Sequence, residues 1–124
     1  MVLVIGGAYQ GKLDYIFENY PVKSVFHCDI DKPELDFTAN VVDALHLMVL
    51  AQIHAGRDAP AYLRERLHDL EDKIVICDDI SSGVVPVDAE MRRSREETGR
   101  CLALLSRHAD EVVRVYCGIG SSIK

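Results

Sequence analysis

The sequence lacks the excess of positive charge that a nucleic-acid-binding protein normally carries. It has 14 Lys and Arg residues against 20 Asp and Glu residues, a formal net charge of −6 and an isoelectric point of about 5.3. A duplex-binding surface must replace the counterions of the phosphate backbone, so this balance argues against nucleic acid as the main partner. Nucleotides remain possible ligands, because a phosphate site needs only a few local donors.

Paired cysteine motifs are also missing. No two of the four cysteines have C-x-x-C spacing, which argues against a zinc site or a redox dithiol. Most of them lie in or at the end of apolar runs, where free cysteine acts as a small buried hydrophobe. The cysteines are Cys28, Cys77, Cys101 and Cys117. We therefore expect a reduced, cytoplasmic protein.

The sequence has no long uninterrupted apolar run. The most apolar stretch, residues 41–53, contains Asp43, His46 and Gln52, so it is too short and too polar to span a membrane. Residues 1–5 are apolar, but no basic segment precedes them and glycines follow at once, which argues against a secretory signal.

What the sequence does have is an alternation of short β-branched runs and helical stretches. With 124 residues and 48% apolar composition, residues 1–124 are expected to form one domain. The pattern predicts strands over 2–5, 24–28, 73–77 and 111–117, and helices over 12–19, 38–54, 58–70 and 88–108. Such alternation predicts a three-layer α/β fold, with a mostly parallel sheet flanked by helices. The small size and the very apolar helix over 38–54 favour a homo-oligomer.

A glycine-rich loop follows the first predicted strand and precedes the first predicted helix. Its spacing, G-x-x-x-x-G-K, is that of the loop of P-loop nucleoside-triphosphate hydrolases. Glycines let consecutive N–H groups point inward at an anion, and Lys12 would reach the β- and γ-phosphates of ATP or GTP. The predicted nucleotide-binding residues are Gly6, Gly7, Ala8, Tyr9, Gln10, Gly11, Lys12 and Leu13. The alternative is an ordinary glycine-rich turn.

Leu13 departs from this motif, which has Ser or Thr at that position. The hydroxyl of that residue binds Mg²⁺, and a leucine side chain has no such group. Magnesium-dependent chemistry is therefore less firmly predicted than phosphate binding.

Acidic residues follow two of the predicted strands. Asp29 comes after the second strand, and Asp78 and Asp79 come after the third. The carboxyl ends of parallel strands are where ligands gather in such sheets, and an Asp there often holds Mg²⁺. We choose Asp79 as the metal contact or the acceptor of an alcohol proton. The alternative is that Asp simply favours the turn after a strand.

Histidines and arginines give weaker signals. His27 and His46 lie in a predicted strand and an apolar helix, where a hydrogen-bonded structural role is commoner than catalysis. Four arginines near the start of the last helix could clamp phosphate, but glutamates interleaved with them favour a solvated helix face. The arginines are Arg92, Arg93, Arg95 and Arg100.

Two segments resemble the family of bifunctional adenosylcobinamide kinase / adenosylcobinamide-phosphate guanylyltransferases of cobalamin biosynthesis. One is the strand and loop from Leu3 to Lys12. The other is the C-terminal third, and together they cover about half of the chain. The matching C-terminal residues are Gly83-Val84-Val85-Pro86, Arg92, Arg95-Glu96, Gly99-Arg100, Ala109-Asp110-Glu111-Val112, Gly118-Ile119 and Ile123-Lys124.

The resemblance implies a homo-oligomeric P-loop protein that phosphorylates a corrinoid alcohol with ATP or GTP, and in which Lys12 stabilises the transferred group. Family members also attach GMP through a histidine that lies in a basic segment. No counterpart of that segment lies between Cys28 and Thr38. Asp78-Asp79 stand where the family has Asn-Glu, and Ser81 replaces a glycine. Two alternatives stay open: a non-catalytic binding or regulatory relative, and a different small-molecule phosphotransferase on the same fold.

Overall fold

A computed structural model of the chain describes residues 1–80 and 88–124. Its strands are β1 (Val2–Gly6), β2 (Val25–His27), β3 (Val41–Asp43), β4 (Ile74–Asp78), β5 (Glu111–Tyr116) and β6 (Ile119–Ser122). Its helices are α1 (Lys12–Asn19), α2 (Leu45–His54), α3 (Ala59–Glu65) and α4 (Ala89–His108), with a 3-10 turn at His68–Leu70. Ser81 and the matched Gly83-Val84-Val85-Pro86 lie outside the described residues.

The six strands form one sheet in the order β2-β3-β4-β1-β5-β6. Strands β1 to β5 are parallel to one another, and β6 pairs antiparallel with β5. The register sets Gly6 beside Asp78, so β1 and β4 end at the same level. The predicted α/β class, with a mostly parallel sheet and flanking helices, is confirmed.

Side chains on alternate positions of the strands enter two apolar clusters, one on each face of the sheet. On one face, strand residues such as Leu3 and Val75 pack with residues of α2, α3 and α4. On the other face, Val4 and Ile76 pack with Ile16 of α1. The helices therefore cover the two faces unequally, three on one side and α1 on the other among the described elements.

The helix predicted over 38–54 is wrong in its first part. Residues 41–43 form β3, and α2 begins only at Leu45. Between them Ala44 adopts a φ of 60°, which turns the chain sharply without a glycine. Thr38 begins no helix, and its hydroxyl donates a hydrogen bond to Oδ1 of Asp36. The run of apolar residues is thus a buried strand followed by a buried helix.

Two further boundaries differ from the prediction. The helix predicted over 58–70 ends at Glu65, so Leu67 and Leu70 lie beyond it, and Leu70 belongs to the 3-10 turn. Strand β6 was not predicted, because its sequence Ile-Gly-Ser-Ser has little β-strand preference. In contrast, α4 is continuous from Ala89, where Asp88 caps it by accepting two backbone N–H bonds.

In the part of the chain that the structure describes, every helix is too short or too polar to cross a bilayer.

Candidate functional site

The glycine-rich loop opens onto a pocket at the carboxyl ends of the central strands. The pocket has a volume of about 380 Å³. Residues 8–14, from the loop and the first turn of α1, line it together with residues at or just after the ends of β3 and β4. The latter are Asp43, Ala44, His46 and Asp78. The structure therefore brings together most of the predicted nucleotide-binding residues and one of the predicted strand-end acids.

Two glycines of the loop are required by its geometry. A Cβ atom on Gly6 would lie 2.4 Å from the carbonyl oxygen of Val115, so β5 leaves no room for a side chain. Gly11 precedes α1 with a φ of 83°, a left-handed conformation that favours glycine, and its Cβ would lie 3.3 Å from Gly118 Cα. The glycine spacing thus reflects close backbone approach at both ends of the loop.

Lys12 is the first residue of α1, and its side chain turns into the pocket. Its Nζ donates to the carbonyl oxygen of Gly7 at 2.6 Å and lies 2.7 Å from Oδ1 of Asp78. The Lys12 side chain is only 8% exposed. A nearly buried ammonium needs compensating partners, and these two oxygens supply them. These two contacts therefore fix the position of the Lys12 ammonium group beside the glycine-rich loop.

Asp78 is held by His46 as well as by Lys12. Its backbone N–H donates to His46 Nδ1 at 3.2 Å, which places the proton of the neutral ring on Nε2. That Nε2 lies 3.5 Å from Oδ2 of Asp78. Burial lowers the pKa of His46 below its ordinary value, more than the nearby Asp78 carboxylate raises it. The ring is thus neutral near pH 7 and faces the carboxylate with its N–H.

Asp79, our choice from the sequence, lies differently from its neighbour. Its backbone N–H donates to the carbonyl oxygen of Gly6 at 2.8 Å, and its Oδ2 lies 3.7 Å from Nη2 of Arg114. It does not line the pocket, whereas Asp78 does. Asp29 begins a turn, because its carboxylate accepts the N–H of Asp31. Of the three strand-end acids, Asp78 is the one beside Lys12.

Asp43 is a pocket residue that the sequence reasoning missed. It follows Val41 and Val42 at the end of β3, and its Oδ2 lies 2.9 Å from Nδ1 of His27. The signal was present, because an apolar pair ending in an acid repeats the pattern before Asp78. Because a helix was predicted over residues 38–54, Asp43 was not recognised as the end of a strand.

The turn between β5 and β6 is hydrogen-bonded to Gln10 of the glycine-rich loop. The side-chain Oε1 of Gln10 accepts the backbone N–H of Cys117 at 2.7 Å, and its carbonyl oxygen accepts the N–H of Gly118 at 2.7 Å. The turn between β5 and β6 thus positions the N-terminal loop.

Leu13 packs into the apolar cluster between α1 and the sheet. Among residues 1–80 and 88–124, no three His, Cys, Asp or Glu side chains are grouped so that they could hold a metal ion by themselves. Magnesium is nevertheless often bound by one or two carboxylates together with the phosphates of a nucleotide. The carboxylates that line the pocket are those of Asp14, Asp43 and Asp78.

The arginines of α4 lie away from the pocket. Nε of Arg93 is 2.8 Å from Oε2 of Glu97 one turn later, an ion pair within the helix. The Glu97 side chain is only 8% exposed, so this part of α4 is not the solvated face that the interleaved glutamates favoured.

The sequence matches no model of a known protein family, and no curated protein matches it significantly.

Proposed function

We propose that the pocket binds the phosphate chain of a nucleoside triphosphate, ATP or GTP. The observation that carries the proposal is the position of Lys12. It begins a helix directly after a glycine loop, and its buried ammonium points into the pocket at the ends of β1 and β4. The free N–H groups of the first turn of α1 and the positive end of its dipole favour an anion at the same place.

The present partners of Lys12 suggest how phosphate would enter. The Gly7 carbonyl oxygen and the Asp78 carboxylate both compensate the ammonium charge. A phosphate oxygen offers a stronger, charged acceptor than the carbonyl does. Lys12 would therefore exchange the Gly7 contact for a phosphate contact on binding. Asp78 would remain beside it, held by His46.

We extend the proposal to phosphoryl transfer onto an alcohol, with a corrinoid as the acceptor that the sequence resemblance implies. Catalysis of this kind depends on positioning and on charge stabilisation. Lys12 would stabilise charge on the transferred group. Asp78 is the better placed acid to contact Mg²⁺ or accept the alcohol proton, and Asp79 remains the alternative drawn from the sequence.

A non-catalytic nucleotide-binding relative is the second candidate, and Leu13 favours it. The side chain at this position is packed against the sheet and offers no oxygen to Mg²⁺. Such a protein would hold the nucleotide through the loop without using it.

Calorimetric titration with tripolyphosphate, ATP and GTP, each with and without Mg²⁺, tests the binding proposal. Lys12→Met should weaken binding of all three ligands by tenfold or more, on the order of one charged hydrogen bond. Lys23→Met removes an exposed lysine elsewhere and should change nothing. If the wild-type chain binds none of the ligands, the phosphate-site proposal is wrong.

The two candidates separate in a turnover assay. Incubation with cobinamide, ATP or GTP and Mg²⁺, followed by mass spectrometry, should show a phosphorylated corrinoid that Asp78→Asn abolishes. Nucleotide binding that ignores Mg²⁺, without a phosphorylated product, would favour the non-catalytic candidate.

A further inference from the structure

Tyr9, at the tip of the loop, has an unusual conformation for its residue type. Its φ is 59°, in the left-handed region, which glycine adopts easily and a bulky side chain does not. The side chain is also fully exposed, at 104% of its reference area. A large aromatic ring thus extends into solvent from a strained backbone.

Within residues 1–80 and 88–124, this ring adds no packing to the apolar clusters of the fold. It packs against no cluster of the core, while glycine at the same position would relieve the strain and expose less apolar surface. The loop already has glycine at positions 6, 7 and 11. The ring of Tyr9 therefore needs an explanation outside the folded chain.

We propose that Tyr9 stacks on the base of the bound nucleotide and so determines that the site takes a nucleotide rather than a bare phosphate chain. This inference rests on the proposed phosphate site. Tyr9 and Lys12 line the same pocket. One small ligand that brings an anionic chain to Lys12 and a flat ring to Tyr9 is a nucleotide.

The neighbouring contacts make Tyr9 a preorganised platform. Gln10, the next residue, is bonded through its side chain and its carbonyl oxygen to the turn between β5 and β6. Because the adjacent peptide is fixed, the position of the Tyr9 backbone is set before the ligand arrives. A ring presented in this way loses less entropy on binding than one on a free loop.

Replacement of the ring tests the proposal without changing the phosphate contacts. Tyr9→Leu keeps an apolar side chain at the same φ, and Tyr9→Phe keeps the ring. We expect Tyr9→Leu to weaken ATP binding about fivefold or more, the usual range for loss of one base stack. Tripolyphosphate, which has no base, should bind unchanged. Tyr9→Phe should bind both ligands like the wild type.

A matched control is Tyr116→Leu, which removes an exposed ring outside the pocket and should leave both affinities unchanged. Tyr9→Gly adds an independent readout: it should raise the melting temperature by relieving strain, yet weaken ATP binding as Tyr9→Leu does.

Equal ATP affinity in wild type and Tyr9→Leu would overturn the stacking. So would an equal loss for ATP and tripolyphosphate, since that would mean a disturbed loop. A wild-type chain that binds neither ligand would overturn the phosphate site and the stacking together, so the two failures are distinguishable.

Discussion

The ion pair between Lys12 and Asp78 provides the sharpest test of the site. Lys12 is nearly buried and Asp78 is 23% exposed, with 2.7 Å between Nζ and Oδ1. Lys12→Met keeps most of the aliphatic stem but removes the charge. Asp78 is then left facing the pocket with His46 as its remaining neighbour.

The magnitude follows from that burial. Removing one member of a buried, hydrogen-bonded charge pair costs about 3–5 kcal/mol, because the other charge is left uncompensated. Asp78 keeps some solvent contact, so we expect about 2–3 kcal/mol for Lys12→Met. For a chain of this size, that corresponds to a decrease in melting temperature of roughly 10 °C. A loss of nucleotide binding in this variant alone would therefore be ambiguous.

A double-mutant cycle separates stability from binding. Asp78→Asn removes the charge that Lys12→Met leaves behind, so the double variant should be more stable than the sum of the single changes predicts, by about 1 kcal/mol or more. Urea unfolding of the four proteins measures this coupling energy. The double variant should still bind tripolyphosphate at least tenfold more weakly than the wild type does. Additive effects on stability, or tripolyphosphate affinity like that of the wild type in Lys12→Met, would refute the reasoning.

Three further predictions concern the surroundings of the pocket. Gly6→Ala should destabilise the fold by about 1–3 kcal/mol in urea unfolding, because its Cβ would meet a backbone oxygen at 2.4 Å, whereas Gly7→Ala, with its nearest neighbour at 3.6 Å, should have little effect. Burial holds the pKa of His46 below its ordinary value, so the unfolded chain takes up a proton first as pH falls below about 6.5. The free energy of unfolding should therefore be highest above that pH and fall below it, and the fall should be smaller in His46→Leu. An identical pH profile in the variant and the wild type would contradict the argument. Cys117 is exposed while burial raises the pKa of the other three thiols, so one thiol in four should react rapidly with Ellman's reagent in the folded protein, and Cys117→Ser should remove it.

The first strand, the loop and α1 could be predicted closely from the sequence because their signals are local. An apolar run ends at a glycine pair, and α1 begins at Lys12 as the motif indicates. The strand β4 was recognised in the same way. For these elements, the residues that form the structure are also the residues that mark its ends.

The segment from residue 38 to residue 54 could not be read in this way. Strand β3 has only three residues, too few to show a two-residue period, and it passes into α2 through Ala44, without a glycine or proline to mark the break. What makes residues 41–43 a strand is pairing with β2 and β4, which are distant in the sequence. The position of Asp43 at the pocket therefore follows from the sheet order and not from the local sequence.

The choice between Asp78 and Asp79 shows which tertiary information the sequence lacked. Neighbouring strand residues point to opposite faces of a sheet. Ile74 and Ile76 pack on the α1 face, so alternation sends Asp78 to the side of the sheet where Lys12 begins α1. Asp79 instead lies 3.7 Å from Arg114, whose neighbours Val113 and Val115 face α1, so that Arg114 is on the opposite side of the sheet. The sequence shows both acids and the alternation. The alternation identifies Asp78 as the acid beside Lys12 only when the face of the sheet that α1 covers is known.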